Sequence, residues 1–381
     1  MVYWLIFQSA TVKALLHDLG LDRFLHVFQY QTFRLVLAMV TSFGLCMVLA
    51  PWLIRVLRRL KVGGAADFRH EVVDRLYASR AGTPTMGGLL IVPAIVLSTA
   101  LWGRLDNLHV FLGLMTVLWL GALGGVDDYL KLVKKNRDGL RAGEKLVFQI
   151  ALAMLLGYFL YVHGVTRIRL PEDVGVGIAL NLPFYKFPIP LAPWMFLVIA
   201  VLVVAGTSNA VNLTDGMDGL AIGSMVPPAL VFLVMSYVAG RVDFSDYLYV
   251  PYVPGVGELA VFCGAVIGAC VGFLWYNCSP AQVFMGDTGS LALGGAIGYV
   301  ALATRQEVLL MIAGGVFVME AVSVILQVGY FKLTRGKRIF LMSPIHFHFQ
   351  LKGWTETQTV VRFWLLGAMF AALALATLKL R

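Results

Sequence analysis

The chain has 381 residues, of which 59% are hydrophobic and only 13% charged, with 30 Lys+Arg against 21 Asp+Glu. Ordinary soluble domains carry about 25% charged residues, so a water-soluble multidomain enzyme, a disordered chain and a disulfide-stapled scaffold are excluded. What remains is an all-α integral membrane protein, one polytopic domain over 1–381, whose basic excess reads as loop bias and not as a nucleic-acid footprint.

Residues 1–30 mix Trp4, Phe7, Leu15 and Leu16 with Lys13, His17 and Asp18, a pattern expected of an interfacial segment. A basic leader followed by a small-residue cleavage site is missing from this stretch, so no cleaved signal peptide is expected. Apolar runs long enough to cross a bilayer then predict ten spans. They fall at 33–57, 86–103, 109–126, 144–163, 194–212, 216–239, 258–276, 289–304, 307–331 and 359–379. Pro227-Pro228 interrupts the sixth and Gly314-Gly315 the ninth, as membrane bundles tolerate. Segment 164–193, with Pro171, Pro183, Pro188 and Pro190 among aliphatic residues, is expected to form a hairpin on the membrane surface; 332–358 is a polar loop containing histidines. Cys46, Cys263, Cys270 and Cys278 lack metal-ligand spacing and read as inert thiols.

The basic residues orient the bundle. Loops 55–80, 127–145 and 332–352 hold 18 of the 30 Lys and Arg residues, and all three lie on one side if there are ten spans. By the positive-inside rule those loops are cytoplasmic and both termini are extracytoplasmic.

Polar residues gather at the same cytoplasmic ends. Before the second span stands Ser79-Arg80-Ala81-Gly82-Thr83-Pro84-Thr85-Met86-Gly87-Gly88, where Arg80 and two hydroxyls suit a diphosphate, or a threonine caps the helix. The third span closes on Asp127-Asp128, with Lys131 one turn after Asp127. Adjacent carboxylates at a membrane edge need a compensating cation or base, so a salt-bridged helix end and a metal site are both open readings. The acidic segment Asn209–Gly219 contains Asn212, Asp215 and Asp218 but no Lys or Arg, which favours a site over a simple Asx-rich cap. In Asn277–Ser290, the run Phe284-Met285-Gly286-Asp287-Thr288-Gly289-Ser290 offers backbone N–H groups for phosphate and a carboxylate for a divalent cation; a plain N-cap is the alternative. The last loop carries His346-Phe347-His348 and then Lys352-Gly353-Trp354. Acidic and basic loops facing one compartment point to phosphoryl-group chemistry at the membrane face.

These five ordered motifs resemble those of the phospho-N-acetylmuramoyl-pentapeptide transferase family, within the polyprenyl-phosphate N-acetylhexosamine-1-phosphate transferase superfamily. The resemblance runs from Thr32-Phe33-Arg34 to Leu375–Lys379. It implies ten transmembrane helices, a cytoplasmic-facing cleft, a homodimer in the bacterial cytoplasmic (inner) membrane, and Mg²⁺ dependence. The implied reaction transfers phospho-MurNAc-pentapeptide from UDP-MurNAc-pentapeptide to undecaprenyl phosphate, giving lipid I and UMP, the first membrane step of peptidoglycan synthesis. By the same resemblance Asp287 is the metal ligand, Asp127 and Asp128 are the catalytic pair, and His346 and His348 are further catalytic positions. Arg80, Thr85, Lys131, Asn212, Asp215, Asp218, Asn277, Phe284 and Gln327 match substrate-binding positions. Two departures stand out: Arg80 occupies a position usually held by Lys, and Phe347 replaces the centre of a usual His-His-His run.

The lipid phosphate is already nucleophilic at neutral pH, so the expected route is a single displacement assisted by Asp127 or Asp128, with a covalent aspartyl intermediate as runner-up. Two rivals are a related enzyme moving another UDP-HexNAc phosphate and a secondary transporter. A transporter would place carboxylates near the bilayer midplane, where Glu320 is the one available charge.

Overall fold

The computed structural model describes Tyr3 and residues 25–60, 82–132, 139–163, 166–169, 174–176, 178–185 and 187–379. The interfacial reading of residues 1–24, apart from Tyr3, and the placement of Arg80 lie outside these residues. The chain is mostly helical. In order, the helices are α1 Gln31–Arg59, α2 Gly88–Trp102, α3 Leu108–Leu132, α4 Ala142–Val162, α5 Pro193–Thr214, α6 Leu220–Ala239, α7 Val242–Leu248, α8 Leu259–Asn277, α9 Gly286–Ala303, α10 Glu307–Ala313, α11 Gly315–Leu333, α12 Ile345–Leu351 and α13 Glu356–Ala376. Between α4 and α5, β1 (Arg167–Arg169) pairs antiparallel with β2 (Val174–Val176), and β3 (Ala179–Leu180) with β4 (Ile189–Pro190).

Among the described residues, eight helical stretches are long and apolar enough to cross a membrane: α1, α3, α4, α5, α6, Val256–Asn277, α11 and α13. The other two predicted spans coincide with α2, which has 15 residues, and α9, which has 18. The ninth predicted span is divided at Gly314 into α10 and α11.

Burial explains why α9 is less apolar than its neighbours. Every residue from Thr288 to Ala303 is buried, so this helix meets protein on all sides. Its glycines and alanines permit close helix approach, which in a membrane contributes more than greasiness does. α8 is similarly enclosed from Leu259 to Cys270, whereas α1 has one stripe inside: Ala38, Ser42, Cys46, Ala50 and Ile54 recur every fourth residue and are buried. Val36, Val40, Val48 and Trp52, on the rest of α1, are exposed, the arrangement expected of a helix with an apolar solvent on one face.

α3 alone is 25 residues long, which at 1.5 Å per residue separates its ends by roughly 37 Å. At the end where α3 starts, two buried guanidinium groups are held by neighbouring helices and loops. Arg34 forms a bidentate pair with Glu258 at 2.6 and 2.7 Å and also donates to the Trp102 carbonyl. Arg305 donates to the Thr166 hydroxyl and the Leu160 carbonyl, lies over the Phe196 ring, and through its own carbonyl accepts from Asn181. It thereby ties the strand-bearing segment to the bundle.

Candidate active site

The opposite end of the bundle brings together motifs that lie far apart in the sequence. The Phe284 amide donates to the Pro84 carbonyl, and the Gly87 and Gly88 amides donate to the Phe284 and Met285 carbonyls, at 2.8–2.9 Å. This backbone ladder holds Thr85, on the approach to α2, beside the start of α9.

α3 reaches the same place because Gly124 lets it. A Cβ at Gly124 would overlap the Asp287 carbonyl, so only a hydrogen there permits α3 and α9 to cross this closely. One turn later Asp127 and Asp128 are buried, inside the helix and not beyond it. Asp128 Oδ1 accepts from the Asp287 amide at 3.1 Å; Oδ2 accepts from the Thr288 amide at 3.0 Å and its hydroxyl at 2.6 Å. The first N–H groups of a helix lack internal partners, and α9 has no side-chain cap of its own. A carboxylate from α3 supplies that cap and favours the positive end of the helix dipole. The expectation that these amides are open to phosphate is therefore corrected for Asp287 and Thr288, whose N–H groups Asp128 occupies. Asp287 itself lies within the first turn of α9 and is not its N-cap.

Asp127 and Asp287 share two cations. Lys131 Nζ stands 2.6 Å from Asp127 Oδ2 and 3.1 Å from Asp287 Oδ2; Lys145 Nζ, from α4, stands 2.8 and 2.6 Å from the same atoms. Both ammonium groups donate hydrogen bonds to Asp287, whereas at Asp127 they hold ion-pair distance without an aligned bond. Asp127 Oδ1 accepts from the Leu140 amide at 2.7 Å. Asn212, at the end of α5, donates to Asp287 Oδ1 at 2.8 Å and to the Ser290 hydroxyl at 2.9 Å.

Carboxylate oxygens of Asp127, Asp128 and Asp287 all lie within 4.8 Å of one another. Three carboxylates against two ammonium groups leave negative charge uncompensated, and hard oxygen donors at this spacing suit a divalent cation. The donor set thus fits a metal, and Asp287 is the most accessible of the three carboxylates.

The acidic turn borders this cluster. Helix α5 runs through Asn209 and Asn212 to Thr214, so only residues 215–219 form the connection to α6. Desolvation and the neighbouring carboxylates of Asp287 and Asp128 push the Asp215 carboxyl up to about 8. Asp218 is buried and accepts from the Ala281 amide at 2.9 Å, while its own amide donates to Glu356. Asn277 joins the two loops: its amide donates to the Val283 carbonyl and its oxygen accepts from the Gly219 amide. Gln327 accepts from the Ile339 and Phe340 amides, holding the loop after α11. In that loop His346 and Phe347 are buried, and His348 is half-buried with Nδ1 accepting from the Leu341 amide. Burial and the Lys352 charge lower the pKa of His348.

In the sequence, Lys145 is one of several cations in the loop 127–145. A signal was present, since a short connection between two spans forces the start of α4 to adjoin the end of α3. The contact of Asn212 with Asp287, and the acceptor role of Glu356 at the acidic turn, carry no comparable local signal.

The glycosyl transferase family 4 model matches residues 110–305, and phospho-N-acetylmuramoyl-pentapeptide-transferase signature 1 matches residues 81–92. A phospho-N-acetylmuramoyl-pentapeptide-transferase of Desulfotalea psychrophila is 50% identical over 93% of this chain and 96% of its own length. Relatives of the same description from Syntrophus aciditrophicus and Methylacidiphilum infernorum are 47% and 49% identical, each over 94% of this chain and 96% of their own. The matched stretches cover nearly the whole length of each chain. The chain belongs to the phospho-N-acetylmuramoyl-pentapeptide-transferase family and is a transferase.

Proposed function

We propose that this chain transfers phospho-MurNAc-pentapeptide from its UDP carrier to undecaprenyl phosphate, releasing UMP and forming lipid I. The observation that supports this most directly is the convergence of Asp127, Asp128 and Asp287 with Lys131 and Lys145 at one end of the helices. That placement also favours a transferase over a transporter, whose coupling carboxylates belong near the membrane midplane. Ten spans, with the basic loops and the cleft on the cytoplasmic side of a bacterial inner membrane and both termini outside, fit the helix positions and the charge bias. A homodimer is part of the same reading.

In this mechanism an oxygen of the lipid phosphate attacks the sugar-bearing phosphorus of the donor. The phosphorus–oxygen bond to the bridging oxygen breaks, and UMP leaves with that oxygen. The expected metal is Mg²⁺, held by Asp287 with Asp127 alongside; when bound it neutralises diphosphate charge and orients the leaving group. Lys131 and Lys145 supply positive charge to the equatorial oxygens, and Asp127, which they flank, assists the incoming phosphate. Asp128 fixes the first turn of α9 and hence the direction of Asp287. Thr85 and Arg80 contribute to the diphosphate side, while Asn212, Asp215, Asp218, Asn277, Phe284 and Gln327 shape the nucleoside side of the cleft. His348 contacts substrate from the loop above, and His346 holds that loop.

Purified protein incubated with Mg²⁺, undecaprenyl phosphate and each UDP-sugar in turn should release UMP with UDP-MurNAc-pentapeptide. Release with UDP-GlcNAc alone would assign the related transferase instead, and release with no donor would count against both. An adduct trapped on the protein before lipid is added would replace the single displacement with a double one.

A further inference from the structure

Glu320 is a buried charge that the proposed reaction leaves unused. It lies in α11, is fully buried, and places Oε2 3.1 Å from Nδ1 of His346, which is also fully buried. Neither carboxylate oxygen, and neither ring nitrogen of His346, has an aligned hydrogen-bond partner among the described residues. The neighbouring Ser323 hydroxyl donates to the Glu320 carbonyl and not to its carboxylate. A carboxylate removed from water needs a counter-charge or a donor, and His346 is the ionisable group in contact with it.

The other edge of the His346 ring meets the acidic turn. A Cβ on Gly216 would overlap His346 Nε2 and stand 3.0 Å from Cε1. The imidazole is therefore clamped between Glu320 on one helix and the residue immediately after Asp215. Phe347 follows and packs into a cluster with Met217, Leu220, Val316, Val360 and Phe363. That apolar cluster would secure the loop without a charge nearby. A hydrophobic pair of similar volume is often as stable as a buried ionic one or more so, so the polar pair gives direction where packing gives only adhesion.

We propose that Glu320 is a positioning residue which, through His346, sets the placement of the His346–His348 segment over the turn at Asp215. The proposal rests on the transferase reading only in taking that turn as part of the donor pocket. Glu320→Ala should lower kcat for UMP release by about ten-fold, as a misplaced loop does, while KM for the UDP donor changes by less than about two-fold. Glu320→Gln, which keeps an acceptor for Nδ1–H, should recover most of that loss. On a His346→Ala background, Glu320→Ala should add nothing, because the two groups act as one unit. Additive losses, or an unchanged kcat in a folded Glu320→Ala protein, would overturn the proposal. Histidine labelling with diethyl pyrocarbonate, read by mass spectrometry, needs no substrate: His346 should resist in the parent protein and react in Glu320→Ala. Unaltered protection of His346 would also overturn it. If the parent protein releases no UMP with any donor, the transferase reading fails, and the labelling experiment still decides the role of Glu320.

Discussion

At the Arg34 end of the bundle, one guanidinium meets one carboxylate in a closed, bidentate pair. At the Asp287 end, three carboxylates crowd around two ammonium groups and share them. The Arg34 side chain is 3% exposed, whereas Lys131 and Asp287 keep 36% and 16%, and the two sites differ further in stoichiometry. A one-to-one pair is complete and offers nothing to a ligand. An excess of one sign stores unfavourable charge that only another cation can relieve, and a fold tolerates that where function requires it. Charge is therefore balanced at one end of the bundle and unbalanced at the other.

The sharpest way to break this contrast is Asp287→Asn, which keeps the shape but removes the charge. It should reduce kcat for UMP release by about three orders of magnitude, the scale expected when a preorganised electrostatic group is lost. Because it also relieves crowding among carboxylates, thermal stability in detergent should stay level or rise; a clear fall would place Asp287 with the structural pairs. Chelation of divalent cations should likewise abolish turnover, and Mg²⁺ should restore it.

Arg34→Ala should do the reverse. Leaving Glu258 buried without its partner costs about 3–5 kcal/mol, seen as a lower melting temperature, with turnover per folded molecule unchanged. Lys145→Gln sits between these cases. It leaves Lys131 to serve both carboxylates, so kcat should fall about ten-fold to a hundred-fold, with little change in melting temperature. The smallest effect belongs to Arg104→Ala, which removes an exposed 2.7 Å pair with Asp106. Screened surface pairs contribute about 0–1 kcal/mol, so a large shift there would show that position at the bundle end, and not burial, sets the strength of a pair.

Much of this is legible in the amino-acid sequence. The long apolar runs locate the helices because crossing a bilayer demands length and greasiness, both local properties. Asp127, Asp128 and Asp287 are conspicuous because charge is scarce in so apolar a chain. What stayed hidden depends on which helix ends meet. The sequence around α9 reads as a phosphate-binding helix start, yet Asp128, from a helix more than 150 residues earlier, already satisfies its amides. Lys145 looks like one more loop cation until α4 is set against α3. Phe347, conspicuous as a departure from a histidine run, sits in an apolar cluster whose other members come from the turn before α6, from α6 itself, and from α11 and α13. The weak apolarity of α9 is intelligible only once it is seen to be enclosed by protein.

The backbone ladder joining Pro84–Gly88 to Phe284–Met285 has a consequence for synthesis. Its two strands are separated by about 200 residues, so during sequential synthesis the first must wait in the membrane while most of the remaining helices are made. A nascent chain already carries Asp127, Asp128, Lys131 and Lys145, yet until Met285 has emerged those residues face no third carboxylate and no organised pocket. The enzyme is thus inert for most of its own birth, and a chain truncated before α9 should insert, persist and bind nothing.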